Sequence, residues 1–551
     1  MAVETRTPTQ PIYRVARHLD AWQLPDWSRA KDGTFGNRFD DPESEYRVLY
    51  ASSQQVSCFV ETLARFRPDL SLIEELREIE GDDDFLPIGE VPLNWCANRV
   101  IGTASSAGNY ADVYGVEWIA LLRRRLASVC LRLGYPDLDA AAPNNPVVLT
   151  RAGGHSSVGN SKALEAADIN KATPDPPRGL IERDANGVPN GVIRERSDLY
   201  TRLVPKDKPA DVRASLLQNV RDQLKLGITS VIEAGSQVDP NVVGSYAEWE
   251  LLYQKHGTEL PRASVQVGYP SPQGQAKLGA MRLKEFGKKT GDGNDRLRVG
   301  SIGEMPADGG FTGPTAWCLV DYKGLPGFRG RAFFTPEQIH ANIEEGHKLG
   351  WQFGIHAIGD AAIAMTVDAL DQVLHDYPRN DHRHYLCHFT VMPPARTMEI
   401  MAKDKIHIAQ QPNFTYNLEG RYVETLEGNR LQTNNSITTP VKKYGLFMAF
   451  GSDNLPIGPM VGLYAAVTRK GESGKVYGPG EAVSMKEAIT MYTRHGAFLT
   501  REEKIKGTLE TGKVADMIVL PEDLLAVSPE KVLNMKVDMT IVGGKVLYER
   551  A

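Results

Sequence analysis

Residues 335–362 read TPEQIHANIEEGHKLGWQFGIHAIGDAA. Thr335 can cap a helix, Pro336 suits its first turn, and Gly350 suits its stop. A short apolar run follows at once, and His356 stands at its end, just before the turn residues Gly359 and Asp360. The pattern is helix, strand, loop, with a titratable and metal-capable side chain where the strand meets the loop.

The same alternation extends in both directions. From residue 229 onward seven β-rich apolar runs recur: TSVIEAG, RASVQVGY, LRVGSIGEM, QFGIHAIG, HYLCHFT, HIAQQP and LFMAFGSD. Helical patterns lie between them. Alternating strands and helices predict a parallel sheet. About eight such units over about 250 residues make a (β/α)8 barrel. The expected fold class is therefore α/β, a (β/α)8-type barrel with one strand missing, which the resemblance described below implies is the first.

A chain of 551 residues exceeds what one hydrophobic core usually serves. Three regions differ in texture. Residues 1–140 carry short motifs and a strong amphipathic helix, GVEWIALLRRRLASVCLRLG, and read as an α+β domain. Residues 141–504 hold the barrel. Residues 505–551, with GTLETGKVADMIVL and MTIVGGKVLYER, read as a small β-sandwich appendage. The net charge of −6, from 63 basic and 69 acidic residues, is small for this length. It argues against nucleic acid or a membrane surface as partner. No stretch is apolar enough to span a bilayer. The polar start MAVETRTPTQ shows no signal-peptide core, and the five cysteines are scattered without CxxC pairing. Both features suit a cytoplasmic protein.

Active sites of such barrels gather at the C-terminal ends of the strands. Those ends carry Glu304, His356, His388 and Asp453. Two imidazoles and two carboxylates on different strands converge on the barrel axis. Such a set can hold a divalent metal of zinc type and leave one carboxylate as general base. A single strand-end histidine is more often a hydrogen-bonded structural residue; four such groups together point to a metal or to catalysis. His155, in RAGGHSSVGNSKALEAADI (151–169), opens a polar loop before a helix and could reach a substrate, or serve only a structural turn. His340, His347 and His375 read as solvated helix residues, and His382 and His384 as lying at the opposite rim of the barrel.

At these residues the chain resembles the amidohydrolase superfamily, in its formamide-deformylase-like branch, over about 144–551. The pieces that carry the resemblance are NPVVLTRAGGHSSVGNSKALEAADI, GITSVIEAG, MPADGGFTGPTAW, GIHAIGDAAI, CHFTVMPP, AFGSDNLP and GTLETGKVADMIVL. It implies a metal-dependent hydrolase that cleaves amide-type, non-peptide C–N bonds of small molecules. It implies His356 and His388 as metal ligands and Asp453 as the base. Glu304 stands where the family usually has a carboxylated lysine that bridges two metals. The family's first strand ends in a His-x-His pair, and this chain has none in that context, since HRH at 382–384 belongs to a later strand. One ion, of zinc type, is therefore expected rather than two. A homodimer is one way to cover the gap left by the first strand.

Residues 12–140 resemble a second family, the RES domain, a toxin fold that degrades NAD. IYRVAR, GTFGNRFDDP, YRVLYASS and CFVETLARF carry this resemblance. Arg14, Tyr50 and Glu61 match its working residues by type and spacing, and its late serine has no evident counterpart. The resemblance implies NAD-degrading activity in the front segment as an alternative function; an inactive fusion of two incomplete domains is the other.

Overall fold

The computed structural model describes residues 138–550 except 140, 141, 143, 151–153, 178, 205–207, 272 and 273. Before residue 138 it describes only the strands Thr5–Arg6, Ile12–Ala16, Val100–Ala104 and Tyr110–Ala111. The chain divides into two compact units, Met1–Arg132 and Leu133–Ala551. In the first, Ile12–Ala16 pairs antiparallel with Val100–Ala104, placing Arg14 opposite Gly102. Tyr50, Glu61, the side chain of Arg14 and the helix expected at 115–134 lie outside the described residues.

The second unit is built on seven parallel strands in sequence order. They are β1 (Ser230–Ser236), β2 (Arg262–Val267), β3 (Leu297–Pro306), β4 (Phe353–Ala357), β5 (Tyr385–His388), β6 (His407–Gln410) and β7 (Met448–Phe450). Each falls within one of the seven apolar runs or extends it by a single residue. Among the described residues β1 and β7 each pair on one side only. The sheet is a curled, open parallel array of the (β/α)8 type.

The curl follows from which side chains meet. On β2, Ala263, Val265 and Val267 join Trp249 and Tyr253 in the main core cluster. Gln266 points the other way, and its Nε2 donates to Ser301 Oγ at 2.7 Å and to Tyr385 OH at 2.6 Å. A contact from β2 to β5 spans three strand intervals, which a flat sheet with strands about 4.8 Å apart would forbid. Gly303 and Gly354 make room for it: a Cβ on either would lie 2.6 or 2.5 Å from Gln266 Nε2.

Helix formation obeys the local signals. The helix Pro336–Lys348 opens with a capping box between Thr335 and Gln338, and Gly350 follows its end at φ 86°. One expectation on this helix fails. His347 is not solvated; it is 4% exposed. Its Nδ1 lies 2.9 Å from His384 Nε2 and its Nε2 2.8 Å from the carbonyl oxygen of Tyr377. His382 joins the same rim through Asp404 O at 2.8 Å. Burial pushes His382 down to about 4, so this histidine layer is neutral and structural. The strand-entry rim was the expected place for His382 and His384; His347 closes the layer from the helix side.

Two smaller sheets flank the barrel strands in sequence. The tail forms a three-stranded antiparallel sheet from Met517–Val519, Met539–Val542 and Lys545–Glu549. A four-stranded antiparallel sheet comes from Val148–Thr150, Ser156–Gly159, Leu180–Arg183 and Pro189–Arg194. It packs Ile181 and Ile193 against Ala163, Leu164 and Tyr200. The sequence reading had a polar loop there, because these strands are short and rich in serine and glycine. Among the described residues no helix is long and apolar enough to cross a membrane.

Candidate metal centre

Parallel pairing sets the site. β4 and β5 align Ala357 with His388 and His356 with Cys387, so the two histidines end adjacent strands one register step apart. Their rings meet edge to face with centroids 4.5 Å apart. Glu304, on β3, faces both. Its Oε1 lies 2.7 Å from His388 Nε2 and 3.7 Å from His356 Nδ1. One ligand atom from each of the three residues lies within 4.8 Å of the others.

Outer contacts fix which ring nitrogen faces inward. Gln411 Oε1, an acceptor only, lies 2.8 Å from His388 Nδ1, so that nitrogen carries the proton. His388 Nε2 is then the inward atom, buried and 2.7 Å from Glu304 Oε1. His356 Nε2 lies 3.3 Å from the carbonyl oxygen of Gly309 and donates to it, which turns Nδ1 inward. Two inward imidazole nitrogens and one carboxylate oxygen thus share a single point, which a proton or a cation can bridge. A divalent ion with nitrogen and oxygen ligands fits this donor set.

Electrostatics agree. Burial opposes charge on His388, yet Glu304 and Asp453 raise its pKa to about 9. Burial likewise opposes charge on Glu304, yet His388 and His356 hold its carboxyl well below the ordinary range. The cluster is set to accept positive charge.

The other sequence candidates are distributed as follows. Asp453 stands just beyond β7 and is exposed, at φ 56°. His155 reaches the same mouth: its ring centroid is 5.9 Å from that of His356. Its Nδ1 lies 2.8 Å from Glu195 Oε2. Sequence reasoning missed Glu195, Gln411 and Asp308. Asp308 is fully buried and accepts the backbone N–H groups of Ile358 (3.0 Å), Gly359 (2.9 Å) and Trp317 (2.7 Å). It ties the loop after β3 to the loop after β4, and burial pushes its pKa up to about 6. The only sequence signal for it was its place in MPADGGFTGPTAW, where the glycines draw attention first.

Residues 134–548 match the amidohydrolase family model, three quarters of the chain. The chain belongs to the amidohydrolase family. The amidohydrolase unit is 29% identical over 424 residues to the putative amidohydrolase YtcJ of Bacillus subtilis, covering 75% of this chain and 76% of that protein. It is 26% identical over 434 residues to the N-substituted formamide deformylase of Arthrobacter pascens, covering 75% of each. The fold matches an uncharacterized metal-dependent hydrolase from Pyrococcus horikoshii at a TM-score of 0.54 and 22% identity, over 72% of this chain and 75% of that one. Residues 11–99 match the RES domain.

Proposed function

We propose that the amidohydrolase unit binds one divalent ion, zinc by preference, and hydrolyses an amide-type, non-peptide C–N bond of a small molecule. The observation that carries this reading is the convergence of Glu304, His356 and His388, whose ligand atoms lie within 4.8 Å of one another at three strand ends. The likeness to the formamide deformylase supports the choice of bond.

Glu304, His356 Nδ1 and His388 Nε2 would hold the ion. When bound, it supplies Lewis-acid activation of water and of the scissile carbonyl. Gln411 and Gly309 keep both imidazoles in the ligating tautomer. Asp453 accepts the proton of the attacking water and returns it to the departing nitrogen, so the two proton transfers use one carboxylate. Elemental analysis of purified protein tests the reading. About one ion per chain is expected, and the His356→Ala, His388→Ala double variant should lose it. A metal-free wild type after zinc or manganese is supplied would rule the reading out.

The RES match favours a second reading for the front segment, NAD breakdown with Arg14, Tyr50 and Glu61 as its working residues. An arginine holds phosphate bidentately, and a carboxylate stabilises a developing ribosyl cation. Full-length protein should then deplete NAD and the Arg14→Ala variant should not; equal rates in both would sink this assignment.

A further inference from the structure

We infer that His347, His382 and His384 form an acid-sensitive latch at the strand-entry rim: only neutral rings can close it, and proton uptake releases β4, β5 and the helix ends tied to it. The latch lies at the opposite ends of the strands from His356 and His388, and it stands whether or not a metal is bound there.

The argument starts from what each ring nitrogen faces. A carbonyl oxygen only accepts and a backbone N–H only donates. His382 Nε2 lies 2.8 Å from the carbonyl oxygen of Asp404, so it carries a proton. Its Nδ1 accepts the His384 N–H at 2.9 Å, so it carries none. His384 Nδ1 accepts the Phe353 N–H at 3.0 Å, which leaves the His384 proton on Nε2. That nitrogen lies 2.9 Å from His347 Nδ1, and His347 Nε2 donates to the carbonyl oxygen of Tyr377 at 2.8 Å. The three rings are thus neutral tautomers with one proton each and every nitrogen engaged. A second proton on any ring would point at an N–H, either the backbone N–H of His384 or Phe353 or the Nε2–H of His384. Each protonation therefore removes one hydrogen bond and sets two donors face to face.

The bonds reach every element that enters the barrel here. Phe353 begins β4, His384 directly precedes β5, and His347 lies in the last turn of the helix Pro336–Lys348. Tyr377 follows the helix Asp360–Asp376, and Asp404 ends the helix Ala395–Asp404.

The charged neighbours do not invite a second proton. Arg379 Nη2 lies 3.4 Å from His384 Nε2, and its guanidinium also donates to the carbonyls of His347 and Trp351. Arg501 donates to the carbonyl of His382. Asp381 is bound by Arg383 and Arg501, Glu503 by Arg383, and Glu344 by Lys348. His407 begins β6 with Lys405 close by, and burial lowers it to about 3. Asp404 is paired with Lys403, and burial and Asp371 raise its carboxyl to about 6.

Burial likewise lowers His347, holds His384 well below the ordinary imidazole value, and sets His382 at about 4. An imidazole in an unfolded chain takes its proton near pH 6.5. Between about 6.5 and 4 the unfolded state therefore binds more protons than the folded one, so stability is full above this window and is lost as pH falls through it. Asp404 has the opposite sign and offsets part of one ring.

Hydrogen exchange of the full-length protein, read by mass spectrometry on peptides covering 349–357 and 379–388, tests the latch. These peptides hold the Phe353 and His384 amides that bond to imidazole nitrogens. After correction for the intrinsic pH dependence of exchange, wild-type protection should fall about a hundredfold or more between about pH 7.5 and 5. His382 alone accounts for about thirtyfold of that. His382→Gln and His347→Gln, whose side chains cannot take a proton, should start from lower protection at neutral pH and flatten the profile, each by about tenfold or more. A merely structural role would lower protection equally at every pH.

Wild-type protection that stays within about threefold down to pH 5, or that falls only below about pH 4.5 where carboxylates titrate, would overturn the inference without recourse to any variant. So would a folded His382→Gln variant that keeps the full wild-type slope.

Discussion

Asp453→Asn is expected to lower turnover of the proposed substrate by about a hundred- to ten-thousandfold while the protein keeps its metal. Asparagine preserves shape and removes the basic oxygen. Asp453 is not in the three-residue ligand cluster, so stoichiometry should hold. Its charge nevertheless reaches the centre, since it helps to raise the pKa of His388. Removing that charge should shift metal affinity modestly, far less than loss of His356 or His388. The decisive comparison is kcat against zinc content in the same preparation. Retained activity at full zinc would mean that another group takes the proton. Loss of zinc together with activity would mean that Asp453 is a ligand.

The second large effect concerns stability. Arg262 begins β2 and is 1% exposed. Its Nε and Nη2 hold Asp516 bidentately at 2.6 and 3.0 Å, and its Nη1 reaches Asp295 Oδ2 at 2.6 Å. Asp516 precedes the tail strand Met517–Val519 and also accepts from Gly543 N at 2.7 Å, so the arginine fastens the tail sheet to the barrel. Arg262→Ala leaves the Asp516 carboxylate, 7% exposed, without its countercharge. Breaking a buried pair in this way costs about 3–5 kcal/mol. Urea unfolding followed by tryptophan fluorescence should show the midpoint fall sharply. The double variant Arg262→Met, Asp516→Leu should recover much of the loss, because it removes both charges together. A single variant as stable as wild type would show that the pair is solvated and the anchor lies elsewhere.

Much of the barrel was legible before any coordinates. Each of the seven strands is a short apolar run closed by glycine or a polar turn residue, and each lies where its run predicted. The candidate cluster was legible for the same reason: Glu304, His356 and His388 break apolar runs at strand ends, where a polar side chain has no packing role. Among the described residues β1 and β7 are paired on one side only, which matches the count of seven runs. The four-stranded sheet escaped notice. Its strands mix apolar residues with Ser156, Ser157, Glu182, Arg183, Asn190 and Arg194, so no apolar run stands out from loop composition. His347 was misplaced because a position on a helix does not say which face the helix turns to the barrel.

The sequence by itself determined the alternation of strand and helix, the seven strands of the described sheet and the three strand-end residues that meet in the candidate cluster. These depend on local signals: hydrophobic period, caps and the residue that ends each strand. Only the tertiary structure decided what supports those three residues. Glu195 meets His155 across 40 residues, Asp308 holds the turn at Ile358 across 50, and Gln411 sets the tautomer of His388 across 23. Each is an isolated polar residue in its own neighbourhood. Each acquires its role only when distant segments fold close enough for one hydrogen bond, a relation between positions that no local window contains.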